Sequence, residues 1–205
     1  MEMSPAITDR LTGLLPEQGT ILDLGCGDGS LLRSLSGKGY PLLGVDPALQ
    51  TGDAHRQAED ITLLSGTAES IPLPQESVDI VIMQCVFSLC QPKETVAEIL
   101  RVLKKGGMLL LSDLFSDVSF GQTQTSPLLG AIYRRGQLEA FFLPFFQKKA
   151  FFDETPALTQ MLLQAMMDGE SEQCVSCRDL ALLRRIRARY GIWVWEKQRS
   201  PDRLI

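Results

Sequence analysis

Apolar residues run along this chain in two rhythms. Compact apolar runs, bounded by glycine, proline or acidic residues, fall at 20–24, 41–45, 61–64, 78–83 and 108–113. Between them the apolar positions adopt helical spacing. Leu31, Leu32 and Leu35 make a short helix that ends near Gly37 or Gly39. Pro92 suits a first helical turn, where its missing N–H costs nothing. Val96, Ile99, Leu100 and Leu103 then follow at i, i+3, i+4 and i+7, and Gly106-Gly107 is read as the stop. This alternation predicts βαβ units on a parallel sheet. The run at 108–113 is apolar on both faces, as a central strand covered by helices requires.

The last third is less regular. Residues 117–127 read as a polar loop, 137–142 as a short helix and 145–152 as containing an extended stretch. Thr155-Pro156 opens a helix with Leu158, Met161, Leu162, Ala165 and Met166 in register and Gly169 behind it. A further helix carries Leu182, Leu183 and Ile186, and residues 191–195 form a closing strand.

The chemistry concentrates at Leu22-Asp-Leu-Gly-Cys-Gly-Asp-Gly29. Glycines directly after a buried strand let the backbone turn sharply and approach a ligand that a Cβ would exclude. The helix that follows points its free N–H groups at the same place. About twenty residues on, Asp46 ends the second strand, placed to accept hydrogen bonds from ribose hydroxyls. The constellation predicts an adenosine-containing cofactor over the carboxyl ends of the strands, at the switch point of the sheet. The spacing here is G-x-G-x-G, with Ser30 where a dinucleotide fingerprint has its third glycine, which weakens a nicotinamide reading.

These residues resemble the first motif of the class I S-adenosylmethionine-dependent methyltransferases. Gly44-Val-Asp-Pro47 resembles the second motif, and Gly66-Thr-Ala-Glu69 with Ile71-Pro-Leu-Pro74 the adenine-side loop. Leu103-Lys-Lys-Gly-Gly-Met-Leu-Leu-Leu111 resembles the turn into the fifth strand. The likeness runs over residues 18 to 115, and is greatest to the ubiquinone/menaquinone-biosynthesis branch with its arsenite-methylating relatives.

The resemblance implies an α/β fold: a Rossmann-like, doubly wound, mostly parallel seven-stranded sheet with helices on both faces. It implies S-adenosyl-L-methionine as cofactor, held by Asp23, Gly25, Cys26, Gly27, Asp46, Pro47, Thr67, Ala68, Glu69, Gln84 and Cys85. Gly25 and Gly27 would lie against the methionine, with Asp23 reaching its ammonium through water. Asp46 would bind the ribose, Pro47 would border the adenine and Ala68 would offer it backbone. Gln84 would sit beside the transferring methyl group, with Cys85 and Val86 adjacent. The chain departs from the pattern at Thr67, where many relatives have aspartate, and at Gln84, where they often have asparagine. A small-molecule acceptor would enter near Gln84, Cys85 and Asp113, under a lid from the N-terminal helix and the segment after Phe115. No catalytic residue and no metal site is assigned.

Length and composition fit this picture. A chain of 205 residues suits one domain, divided as 1–17 N-terminal helix and lid, 18–115 cofactor core, 116–197 substrate side and 198–205 tail. Its net charge of -5 speaks against a nucleic-acid backbone as partner. The cluster Arg184, Arg185, Arg187 and Arg189 is read as a solvated helix face. Residues 1–12 lack the apolar core of a signal peptide, and no apolar run is long enough to span a bilayer, so a cytoplasmic location is the default. The five cysteines are read as reduced. Cys174-Val-Ser-Cys177 supplies two ligands where structural zinc wants four, so inert or redox-active thiols are the favoured reading, with capture of a thiophilic substrate as the sharper alternative. His55, the one histidine, sits on a polar segment. Phe141, Phe142, Phe145, Phe146, Phe151 and Phe152 offer core, a homodimer surface or an acceptor pocket. Two rival functions stand beside methyl transfer: a non-catalytic cofactor-binding regulator or partner subunit, and a nucleotide-dependent oxidoreductase.

Overall fold

A computed structural model describes residues 5–49, 55–58, 60–118, 123–126, 129–160 and 177–199, with the backbone alone for residues 5, 55–58 and 177–180. The glycine-bounded apolar runs become strands β1 (Ile21–Leu24), β2 (Leu42–Asp46), β4 (Ile61–Ser65), β5 (Val78–Gln84) and β6 (Leu103–Ser116). Strand β3 (His55–Ala58) adds an edge beside β4. The last third contributes β7 (Gln124–Ser126), β8 (Gly130–Arg134), β9 (Phe146–Asp153) and β10 (Arg189–Lys197).

The strands pair in the order β3-β4-β2-β1-β5-β6-β10-β9. Strands β4, β2, β1, β5 and β6 are mutually parallel, while β10 runs antiparallel between β6 and β9. The seven strands read from the sequence are all present, as the unbroken path from β4 to β9. The three additional strands are β3, β7 and β8, the last two forming a hairpin whose β8 joins the end of β6 at Phe115 and Ser116. The chain winds outward from β1 through β2 to β4, then returns to β5 on the other side. That reversal opens a crevice above β1 and β5.

Helices cover both faces. α1 (Pro5–Thr12), α2 (Ser30–Leu35) and α5 (Cys177–Arg185) lie on one, where Ile7, Leu11, Leu32 and Leu35 pack on Ile21, Ile80 and Leu110. α3 (Pro92–Val102) and α4 (Arg135–Phe142) lie on the other, where Val96, Ile99, Leu138 and Phe142 pack on Val81, Leu109, Trp193 and Trp195. Phe142 stacks on Trp195 with centroids 5.5 Å apart, and Phe115 meets Trp193 edge-on at 5.4 Å. Both indoles are fully buried, so the closing strand is the keel of this face. The phenylalanine-rich stretch is therefore largely core: Phe142 and Phe146 are buried, while Phe145 stands 47% exposed.

Three local expectations are corrected. α3 ends at Val102, and Leu103 already belongs to β6, so Gly106-Gly107 lies inside the strand and does not stop the helix. The helix end is held instead by Lys197 at the end of β10, whose Nζ donates to the carbonyls of Leu100 and Leu103. Residues 117–127 are not all loop, since Gln124–Ser126 pair with β8. Residues 155–160 are helical as expected, but Asp153 does the capping, accepting from the backbone N–H and hydroxyl of Thr155. Met161 to Gly169 and Cys174 lie outside the described residues.

One polar cluster positions the loop after β4. Arg101 donates to the carbonyls of Ile71 and Leu73 and forks onto Glu98, while Glu98 accepts from the Ile71 N–H at 2.8 Å. The site-bearing stretch 67–69 is thereby fastened to α3. Arg101→Ala is expected to cost roughly 2 kcal/mol of stability, since it removes charge-assisted bonds and strands two carbonyls. Urea unfolding of the two proteins measures it.

Candidate functional site

Three glycines at alternate positions shape the turn after β1. Gly25, Gly27 and Gly29 have φ of 82°, 54° and 81°, values that L side chains rarely adopt. The turn is laced to the end of β2: the N–H groups of Gly25 and Cys26 both donate to the Val45 carbonyl, at 2.7 and 3.2 Å. Asp46 completes the lacing, its Oδ2 accepting from the Gly27 N–H and its Oδ1 from the Ala48 N–H, each at 2.8 Å. The two glycines differ in what they permit. A Cβ at Gly25 would overlap Val86, whereas one at Gly27 would meet no heavy atom within 4 Å. Gly25 serves close packing, and Gly27 leaves open space.

The other walls come from neighbouring strand ends. Thr67 bridges Ser70 across the turn after β4, Ala68 is buried, and Glu69 accepts from the Gln91 N–H ahead of α3. Gln84 ends β5, its Nε2 buried without a partner among the described residues. Cys85 follows at φ 56°, its N–H on the Ser112 carbonyl and its thiol 3.4 Å from the Tyr190 hydroxyl. A non-glycine residue in this conformation is costly and is held only where its surroundings over-determine it.

These walls enclose one cleft of about 1030 Å³. All eleven residues singled out from the sequence line it: Asp23, Gly25, Cys26 and Gly27 from β1 and its turn, Asp46 and Pro47 from β2, Thr67, Ala68 and Glu69 from the loop after β4, and Gln84 and Cys85 from β5. Asp113, read as near the acceptor entrance, lines it too. So do Thr8 and Asp9 of α1, in the segment read as a lid. None of the six phenylalanines does, so they form no wall of this cleft.

Tyr190, Leu114, Leu129 and Leu183 are lining residues that sequence reasoning missed. Tyr190 carried a weak signal, a polar-tipped aromatic opening the closing strand. The leucines could not be told from core. The arginine cluster is split between elements: Arg189 of β10 pairs with Asp117 and Asp153, and Arg185 of α5 donates to Gln124. The side chains of His55 and Cys177 lie outside the described residues.

Burial sets the electrostatics. Asp23 is 3% exposed, and no described residue donates a hydrogen bond to it. Burial, reinforced by the Asp46 charge, pushes its carboxyl from 3.8 up to about 7. Burial likewise raises Asp113 to about 6, against the opposing pull of the Ser88 and Leu114 N–H groups it accepts. The thiols of Cys26, Cys85 and Cys90 are each pushed up to about 12, chiefly by burial, and are neutral at physiological pH. None is a ready thiolate nucleophile.

Residues 22–111 match the methyltransferase-domain family. The matched segment runs from β1 to β6 and carries most of the residues that line the cleft. An uncharacterized methyltransferase of Mycobacterium tuberculosis is 40% identical over 90 residues, 43% of this chain and 37% of that protein. The demethylmenaquinone methyltransferase of Renibacterium salmoninarum is 30% identical over 115 residues, 55% of this chain and 48% of its own length. The chain thus spans less than half the length of these methyltransferase relatives. The crystal structure of geranyl diphosphate C-methyltransferase from Streptomyces coelicolor superposes at a TM-score of 0.75 and 17% identity, covering 94% of this chain and 78% of the other. The methyltransferase fold therefore extends well beyond the segment that sequence alone matches.

The buried Asp23 gives a stability prediction with a definite sign. Its folded-state value lies above its unfolded one, so it favours the folded state fully below pH about 4, and that contribution is lost as pH rises through about 7. Asp23→Asn is therefore expected to melt a few °C higher than the parent at pH 8, with the gap closing toward pH 4. Thermal unfolding followed by circular dichroism reads it. The pair at the turn separates two roles of glycine: Gly25→Ala should lower the melting temperature sharply, whereas Gly27→Ala should cost only about 1 kcal/mol of left-handed strain.

Proposed function

We propose that this chain transfers a methyl group from S-adenosylmethionine to a small-molecule acceptor. The adenosine would lie over β4, β2 and β1, and the acceptor over β5, β6 and β10. One observation carries the reading: Asp46 and the glycine turn face each other on one cleft, with the unpartnered carboxylate of Asp23 buried in its wall.

The residues fit the cofactor. Asp23 is a buried carboxyl without a donor among the described residues, which a ligand ammonium would hold ionised. Asp46 uses one lone pair of each oxygen on the Gly27 and Ala48 N–H groups, and the others remain for two ribose hydroxyls. Pro47, Thr67 and Ala68 border the position of the base, and Glu69 braces that wall through Gln91. Cys26 packs behind the turn, and Gln84 and Cys85 flank the point where the two halves of the cleft meet.

The sulfonium methyl of the bound cofactor is itself the electrophile. What the chain must supply is placement of the acceptor atom in line with it, and positioning of this kind can remove several kcal/mol of barrier. The rigid ends of β5 and β6, paired at Gln84 and Ser112, are suited to that task. A cofactor-binding regulator would retain the same site, so turnover decides between the two.

Titration calorimetry with S-adenosylhomocysteine is expected to show binding. Asp46→Ala should weaken it about a hundredfold, the worth of two hydrogen bonds to a charged group. Affinity should rise about tenfold from pH 6 to pH 8, because the ligand ammonium favours ionised Asp23, whose free value is about 7. Asp23→Asn should bind weakly and without that slope. Labelled donor incubated with quinol, thiol, arsenite and small-amine acceptors tests transfer. Absence of homocysteine-adduct binding at millimolar ligand would sink the reading.

A further inference from the structure

The half of the cleft over β5, β6 and β10 has a chemistry of its own. Its apolar wall is Leu89, Leu114, Leu129, Leu158 and Leu183. Its polar groups include Asp113, the Gln84 amide, the hydroxyls of Ser88 and Tyr190 and the thiols of Cys85 and Cys90, and of these only Asp113 is charged at physiological pH. No lysine, arginine or histidine is among the described residues that line any part of the cleft. Three arginines close to lining residues in sequence are paired with carboxylates: Arg10 with Glu154, Arg33 with Asp28 on the rim, and Arg189 with Asp117 and Asp153. Residues 119–122, 127–128 and 161–176 contain no lysine or arginine in the sequence.

From this we infer that the acceptor carries no negative charge: it is an apolar molecule whose amine or hydroxyl head donates a hydrogen bond to Asp113. Asp113 is 1% exposed, and its Oδ2 and Oδ1 each accept one backbone N–H, from Ser88 at 2.9 Å and Leu114 at 2.7 Å. Those bonds, with a further one from the Ser88 hydroxyl, fix the carboxylate and leave one lone pair for a ligand donor. A phosphate or carboxylate brought to the same place would be stripped of water beside a fixed anion, with no cation among the described lining residues to meet it. That desolvation costs several kcal/mol per ion. An aliphatic body instead gains from covering the leucine wall. Calling the molecule an acceptor rests on the proposed methyl transfer; the selectivity of the half-cleft does not.

The test compares four ligands of one chain length: octylamine, 1-octanol, octanoate and octyl phosphate. Each is titrated at pH 7.5 into protein saturated with S-adenosylhomocysteine. Octylamine and octanol are expected to bind, each at least tenfold tighter than either anion. Asp113→Asn should erase the advantage of the amine over the alcohol. Leu183→Phe, which fills the leucine wall without touching the carboxylate, should weaken both by fivefold or more while leaving the S-adenosylhomocysteine affinity in place. A margin below tenfold, binding of none of the four, or binding indifferent to Leu183→Phe would overturn the inference. Should S-adenosylhomocysteine itself fail to bind, the methyl-transfer reading falls, and the same series on the free protein still decides the selectivity.

Discussion

Everything in the site depends on one carboxylate holding two chain reversals together. Asp46 stands where β2 ends, and its two oxygens take one N–H from the glycine turn and one from its own turn. With the Val45 carbonyl accepting from Gly25 and Cys26, the mouths of β1 and β2 become a single rigid rim. Neither turn would hold its shape alone, since three left-handed residues in five are entropically expensive to order. The rim exists because parallel strands put both ends on the same edge of the sheet. Topology supplies the proximity, and the carboxylate converts it into a fixed spacing.

The sheet then divides the work. To one side of β1 lie β2 and β4, with polar loops, a free buried anion and open space at Gly27. To the other lie β5, β6 and β10, with leucines, neutral thiols and a capped anion. Burial governs both sides, but differently: Asp23 has no donor, whereas Asp113 is satisfied twice by backbone. A buried charge without a partner is a liability that stability alone would remove. A carboxyl left unsatisfied in the wall of a cleft is what a binding site looks like in thermodynamic terms.

Much of this was legible in the sequence because it is local. The β1 turn, Asp46 and the α3 stripe are each written within a few residues, and strand–turn–helix signals of that length survive tertiary packing. The seven strands from β4 to β9 and the eleven lining positions follow from such signals plus the resemblance they support. What escaped was non-local. Edge strand β3 lies in a polar stretch that pairs only because β4 is beside it, and β7 forms because β8 is. The end of α3 was misplaced because Leu103 continues the apolar rhythm while already paired with Val78. Tyr190 and the leucines around Asp113 come from six separated stretches of chain, so no window of sequence displays them together.

One close fit inside the rim ties two distant positions. A Cβ on Gly44 would come within 2.7 Å of the Cys26 sulfur and 2.5 Å of the Leu63 side chain. The space that glycine forgoes is thus occupied by a residue of the neighbouring turn. A side chain at position 44 would have to displace Leu63 and Leu32 as well as Cys26, so the bare backbone there sets how closely β2, β4 and the glycine turn can approach.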